Sequence, residues 1–266
     1  MRRVLTRPLR AAVRATSGRT RWQWLWRRLH HEALLGRHFG EGDFHRSGEL
    51  AALQRVHASL PDATVVLDVG ANHGGWALEA RRIWPSAAVH AFEPAQETFD
   101  RLVAATKDAR VVCVRAACGV EPGVGRLHSV PGLPGLSSLH DRDLSGVNLT
   151  MTEVEEVPVT TLAAYCEQQG ITEVDMLKVD AEGHDLAVLL GAGALITEGR
   201  VAAIQFEFGG TNIDARTFLR DFVRLLQPRY RIYRLLLDGQ EELNYSEREE
   251  VFVATNYLAL RSDLLT

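Results

Sequence analysis

Three short segments, each an apolar strand that stops at a glycine-rich or acidic end, constrain this chain more than any other feature. Val65-Val66-Leu67-Asp68-Val69 runs into the turn Gly70-Ala71-Asn72-His73-Gly74-Gly75. Ala87 to Phe92 ends in Glu93-Pro94. A third run ends in Lys178-Val179-Asp180-Ala181-Glu182-Gly183-His184. An apolar run closing on a glycine turn presents bare backbone N–H groups at the carboxyl end of a strand, where an open parallel sheet has its ligand crevice. Glu93 follows that turn at the distance of one strand–helix–strand unit, and a carboxylate there can accept hydrogen bonds from both hydroxyls of a ribose. The three segments together describe a nucleoside-binding cleft.

The string lacks the GxGxxG order expected of a dinucleotide site. Asp68 beside the turn repels phosphate but attracts a cation, so a sulfonium nucleoside with its ammonium group fits better than a pyrophosphate. The ordinary alternative for Asp68 is a helix cap, and for Glu93 a solvated strand-end acid.

Alternation of period 2 and period 3.6 from residue 64 onward gives the fold class, α/β with a parallel sheet. Strands are expected at 64–69, 87–92, 110–117, 154–159, 174–179 and 201–208, with helices at 75–84, 95–106, 161–169, 185–196 and 214–227. Thr160 or Thr161 caps the 161–169 helix and Gly170 ends it. A helix from Ser47 to Leu60 precedes the first strand. Two last strands near 230–237 and 251–258, joined by the polar stretch 238–250, read as antiparallel neighbours. Residues 119–150, rich in Gly and Pro, read as a long loop of the kind that serves as a substrate lid.

The net charge of −4 hides an asymmetry, because residues 1–40 hold ten Arg against Glu32 alone and the remainder therefore carries about −13. This sets residues 1–44 apart as a basic helical extension and 45–266 as the catalytic domain. Trp22, Leu25, Trp26, Leu29 and Ala33 share one helical face edged with arginines. Such a stripe suits packing on the domain, or contact with an anionic membrane surface. No run is long enough for a signal-peptide core or a membrane span, and the arginines have no matching basic patch in the body, which argues against nucleic acid. The three cysteines form no CxxC pair, which suits a reducing cytoplasm and gives no zinc ribbon.

At the third strand end, Asp180, Glu182 and His184 are the available bases, and a carboxylate–imidazole pair is a common way to hold a base near neutral pH. The ordinary alternative has Glu182 and His184 capping the following helix. Glu207, inside an apolar strand, needs a partner such as Lys178 or an Arg, or a place in the cleft. His140 and Asp141 are candidates to meet substrate hydroxyls. Asp180, Glu182, His184 and Glu207 carry metal-compatible ligands, but their spacing demands no metal.

Asp68-Val69-Gly70-Ala71-Asn72-His73-Gly74, Phe92-Glu93-Pro94, Ala116-Ala117-Cys118-Gly119, Ser137-Ser138-Leu139, Leu177 to Asp185, Gly191-Ala192 and Ile204 to Phe208 together resemble the FkbM-type methyltransferases over roughly residues 45–260. Ala181 and Asp185 stand where that family usually shows Val and Glu. The resemblance implies a class I, Rossmann-like fold with a seven-stranded mostly parallel sheet, helices on both faces and the last strand antiparallel. It also implies S-adenosyl-L-methionine as cofactor and O-methylation of a hydroxyl on a sugar or small natural product. Asp68, Gly70, Ala71, Asn72, Gly74, Glu93, Pro94, Ala117 and Asp180 are then the cofactor-binding residues, with Asp180, Glu182 and His184 catalytic and Ser138, His140 and Glu207 at the substrate. The competing readings are a nicotinamide-dependent oxidoreductase and a non-catalytic nucleoside-binding module recruited by the basic extension.

Overall fold

A computed structural model of the chain describes residues 6–265. The described residues divide into two compact units, one ending at Gly40 and one beginning at Glu41. In the first, α1 (Thr6–Thr16) and α2 (Gln23–Gly36) are the helices; no residue of α2 is buried, and its Trp24 and Leu29 are exposed. Among the described residues no helix is long and apolar enough to cross a membrane.

The second unit is α/β. It contains α3 (Glu49–Ser59), β1 (Val65–Val69), α4 (Gly75–Ile83), β2 (Ala88–Phe92), α5 (Gln96–Thr106), β3 (Val111–Val114), β4 (Ala117–Cys118), β5 (Gly123–Val130), β6 (Leu133–Ser138) and β7 (Glu153–Thr160). There follow α6 (Leu162–Gln169), β8 (Val174–Val179), α7 (Asp185–Gly191), α8 (Ala194–Thr197), β9 (Val201–Phe208), α9 (Thr211–Ala215), α10 (Leu219–Leu226), β10 (Tyr230–Leu236), β11 (Gly239–Glu242) and β12 (Thr255–Arg261). The main sheet has the order β11-β10-β12-β9-β8-β1-β2-β3. β3, β2, β1, β8 and β9 run parallel, and β12 enters antiparallel between β9 and β10.

The sheet therefore has eight strands, not seven. The polar stretch expected to link the last two strands supplies Gly239–Glu242, which pairs antiparallel with β10, adds the Arg234–Glu241 ion pair at 2.6 Å and leaves its side chains largely exposed. The last strand is antiparallel as expected, displaced to residues 255–261.

Each face of the sheet has its own core. On one side Leu162, Val188, Leu195 and Phe222 of the later helices meet Leu67, Leu177, Ile204 and Phe206. On the other, Leu53, Trp76, Ala80 and Leu102 of α3, α4 and α5 meet Val66, Val89, Met176 and Ala203. Strand residues alternate between these faces, so Asp68, Lys178 and Gln205 fall on the side of Val66, Met176 and Ala203. The register makes them direct neighbours across β1, β8 and β9. A polar row thus lies in an otherwise apolar face, where burial without partners is costly. Thr161 caps α6, accepting from the Ala164 N–H at 3.0 Å, and Gly170 closes it.

Residues 119–150 are not a loose lid. Two strands within them, β5 and β6, join β4 and β7 in a second, four-stranded sheet, β4-β7-β5-β6, in which β5 and β6 form a hairpin and β5 pairs with β7 from Gly123 to Ser129. The strands expected at 110–117 and 154–159 change accordingly. The first splits into β3 in the main sheet and β4 in the small one, and the second becomes β7 of the small sheet. The expected helix 185–196 is likewise two helices, parted at Gly193.

Candidate active site

A cavity of about 610 Å³ opens where β1, β2 and β8 end, and the small sheet supplies its far side through Leu127, Pro134, Ser138 and Leu139. Its volume is in the usual range for a small-ligand site. The glycine turn after β1 is its floor. Gly70 and Ala71 both donate to the Phe92 carbonyl, at 3.0 and 2.9 Å, which pins the turn to β2. Gly70 has φ +79°, and a Cβ built on it would stand 1.8 Å from the Asp180 carbonyl oxygen. Only glycine lets the turn and the end of β8 come that close.

Glu93 holds the same turn from the other side. Its Oε2 accepts from the Asn72 N–H and its Oε1 from the Ala95 N–H, both at 3.0 Å. Burial pushes its carboxyl up to about 7, against the pull of those two donors. Each oxygen keeps an unused lone pair. Glu93 lines the cavity with Gly70, Ala71, Asn72, Pro94, Ala117 and Asp180.

Two expected cofactor residues do not line it. A Cβ on Gly74 would meet Leu102 and Thr106 of α5, so this glycine serves helix packing. Asp68 is fully buried in the polar row; its nearest charged neighbour is Lys178 Nζ at 3.8 Å, and both its oxygens lack a hydrogen-bond partner among the described residues. The alternation of β1 turns Asp68 to the α3 side of the sheet, where it faces Lys178. Burial raises its carboxyl to about 6, with Lys178 opposing.

Lys178 does line the cavity. Its ammonium donates to Asp180 Oδ2 at 3.1 Å. Burial alone would lower the Lys178 pKa, but Asp180, Asp68 and Glu49 outweigh it and hold the amine firmly protonated. Asp180 is the more open carboxylate of the group, with 38% of its side chain exposed.

Glu182, Gly183 and His184 shape the turn into α7. Glu182, at φ +49°, receives Arg142 Nη1 at 2.7 Å on its carboxylate and the Ser138 hydroxyl at 2.7 Å on its carbonyl. Burial and Asp180 push its carboxyl up to about 8 while Arg142 pulls it down. His184 Nδ1 lies 3.3 Å from His140 Nε2, and burial, with His140 adding to it, lowers its pKa to about 4, so the ring is neutral at pH 7. Asp185 accepts from the Ala181 and Gly183 N–H groups, capping the turn in the role weighed for its neighbours.

Of the expected substrate residues, Ser138 lines the cavity but spends its hydroxyl on the Glu182 carbonyl and on the His140 N–H at 3.1 Å. His140 reaches the site only through His184. Glu207 does not line the cavity and holds neither Lys178 nor an Arg; it stays half-buried beside Asp180, Glu182, Asp185 and Glu49, whose charges, with burial, raise its carboxyl well above the ordinary value. Asp141 is exposed, 4.0 Å from His128. Among the described residues no three His, Cys, Asp or Glu side chains stand together as a metal site, so Asp180, Glu182, His184 and Glu207 do not form one.

Motif logic missed Gly42, Phe44, His45 and Glu49, which form a wall of the cavity. Residues 41–44 had been grouped with the extension but fall in the second unit. The one signal for Glu49 was a carboxylate beginning an amphipathic helix, which is an ordinary helix start.

The profile of the Methyltransferase FkbM domain matches residues 68–235 of this chain. The chain is 30% identical over 161 residues to the protein named methyltransferase sdnD of Sordaria araneosa, covering 50% of this chain and 62% of that one. It is 33% identical over 162 residues to the 31-O-demethyl-FK506 methyltransferase FkbM of Streptomyces tacrolimicus, covering 52% and 62%. The matches thus span under two thirds of these relatives' length. Among solved structures it is similar to the O-methyltransferase TomG of Streptomyces achromogenes in complex with SAM, at 14% identity and a TM-score of 0.42 over 79% of each chain.

Proposed function

The chain belongs to the FkbM methyltransferase family, and from that premise we propose that it is an S-adenosylmethionine-dependent O-methyltransferase acting on a hydroxyl of a sugar or other small natural product. The free thiols of Cys113, Cys118 and Cys166 suit a reducing cytoplasm as its place of action. The observation that carries the reading is the convergence of Gly70, Glu93 and Asp180 on one cavity whose wall carboxylates outnumber its one lysine. A site of that charge fits a ligand bearing a sulfonium and an ammonium, and disfavours a pyrophosphate.

When bound, S-adenosylmethionine supplies an electrophilic methyl carbon on its sulfonium. Glu93, through its remaining lone pairs, accepts from the ribose hydroxyls while its other lone pairs keep the glycine turn in place. The Gly70 turn lets the ligand approach bare backbone. Asp180, held by Lys178 and open to the cavity, would take the proton released by the acceptor hydroxyl. Neutral His184, steadied by His140, is a hydrogen-bonding wall for that acceptor. Glu182 serves as the tether for Arg142 and Ser138, and so fixes the small sheet over the site. The residues contribute mostly position, which is what in-line transfer needs.

Isothermal titration of the full chain with S-adenosylhomocysteine tests the cofactor, and incubation with methyl-labelled S-adenosylmethionine and a panel of hydroxylated sugars, macrolides and peptides tests the reaction. Saturable binding at one site and label transferred to a hydroxyl oxygen are expected. Absence of binding overturns the proposal, and label found on nitrogen or carbon overturns its O-methyl part.

A further inference from the structure

We infer that Glu49, which lies outside the residues matched by the family profile, is the carboxylate that takes the ammonium group of the cofactor's amino-acid end. This rests on the S-adenosylmethionine reading above and adds a binding residue to it.

Five carboxylates line the cavity: Glu49, Glu79, Glu93, Asp180 and Glu182. Three hold a cation already. Glu79 is paired with Arg82 at 2.7 Å, Asp180 with Lys178 at 3.1 Å and Glu182 with Arg142 at 2.7 Å. Glu93 is committed to the Asn72 and Ala95 N–H groups at the end of β2. Glu49 is left with neutral donors only, the Ser47 hydroxyl at 2.8 Å and Gln205 Nε2 at 2.7 Å. It is buried and has no cation within ion-pair distance among the described residues. Lys178 attracts it through space but is shared with Asp180 and Asp68, so this buried carboxylate is costly unless it stays protonated or a further cation joins it. Its oxygens keep lone pairs for one more donor.

The backbone shows that this placement is built and not incidental. Gly48 has φ +89°, and a Cβ there would stand 2.5 Å from the Leu236 carbonyl oxygen, so the chain before α3 is pressed directly onto β10. Gln205, fully buried beside Lys178 in the polar row, then fixes the Glu49 carboxylate from β9. Two strands of the sheet thus hold one carboxylate at the cavity wall on the side where Asp68 and Lys178 stand. Asp68, the acid expected to meet the ammonium, is sealed beneath Lys178; Glu49 is the acid that remains free to do so.

The test is a coupling cycle on the full chain by isothermal titration, using S-adenosylhomocysteine and its desamino analogue against the wild type and Glu49→Gln. In the wild type, loss of the ligand ammonium should weaken binding about tenfold or more, and in Glu49→Gln the two ligands should bind within about threefold of each other, since the partner is gone. An equal gap in both proteins overturns the assignment, as does S-adenosylhomocysteine binding undiminished by Glu49→Gln. If Glu49→Gln fails to fold, Gln205→Met, which leaves the carboxylate but removes its anchor, should narrow the same gap, and an unchanged gap overturns the assignment. Failure of the wild type to bind either ligand counts against the cofactor reading itself, and so is distinguishable.

Discussion

Gly70→Ala probes the closest approach in the site. The added methyl would sit 1.8 Å from the Asp180 carbonyl oxygen, and φ at this position is +79°. Holding a non-glycine residue in the left-handed region costs about 1–2 kcal/mol, and forcing one extra carbon into a packed place costs about 1–3 kcal/mol. Together these give about 2–5 kcal/mol. For a domain of this size each kcal/mol moves the melting temperature by about 2–4 °C, so a fall of roughly 4–20 °C is expected by calorimetry. The clash is with backbone at the end of β8, which cannot rotate away, so the β1 turn and Asp180 must separate and S-adenosylhomocysteine affinity should fall with stability. Gly75→Ala is the control, because nothing lies within 4 Å of a Cβ there and its φ is not in the left-handed region; it starts α4, where Ala is favoured by up to about 1 kcal/mol. A Gly70→Ala protein melting within 2 °C of Gly75→Ala would refute the reasoning.

Asp180→Asn should leave S-adenosylhomocysteine affinity within a few-fold and lower kcat by about a hundredfold or more, as for loss of a general base; turnover within threefold of wild type would remove Asp180 from that role. The pH dependence has an unusual sign. The Glu93 carboxyl is pushed from 4.5 to about 7 on folding, so the folded state holds that proton more tightly. Its stabilising effect is full below pH 4.5 and is lost as pH rises towards 7. At about 1.4 kcal/mol per pH unit the Glu93 share is at most about 3 kcal/mol, and the ligand-free protein should melt lower at pH 7.5 than at pH 5, with Glu93→Gln flattening the slope; a melting temperature that climbs across this range would contradict it.

That Gly70, Glu93 and Asp180 line one cavity was legible because each piece is local. The Gly70 turn, Glu93 and Asp180 each end an apolar strand, and the βαβ spacing brings strand ends together. What the sequence concealed depends on partners far along the chain. Asp68 looked free at a strand end, yet the alternation of β1 turns it to Lys178, a neighbour only by register. Residues 119–150 looked like a loop because the small sheet has a core of only Ala117, Leu127 and Val157, while Val124 and Leu133 are exposed. So thin a core writes almost no periodic apolar signal. Glu49 has no motif, and only the fold brings Gln205 of β9 to it.

The hairpin of β5 and β6 reaches the cavity from a ladder of its own. Its strands share no backbone pairing with β1, β2 or β8, and the side chains of Ser138 and Arg142 fasten this region to the carbonyl and carboxylate of Glu182. Evolution can therefore recut one half of this chamber by trading residues at Pro134 or Leu139, and leave the other half, where the turn meets Glu93, undisturbed.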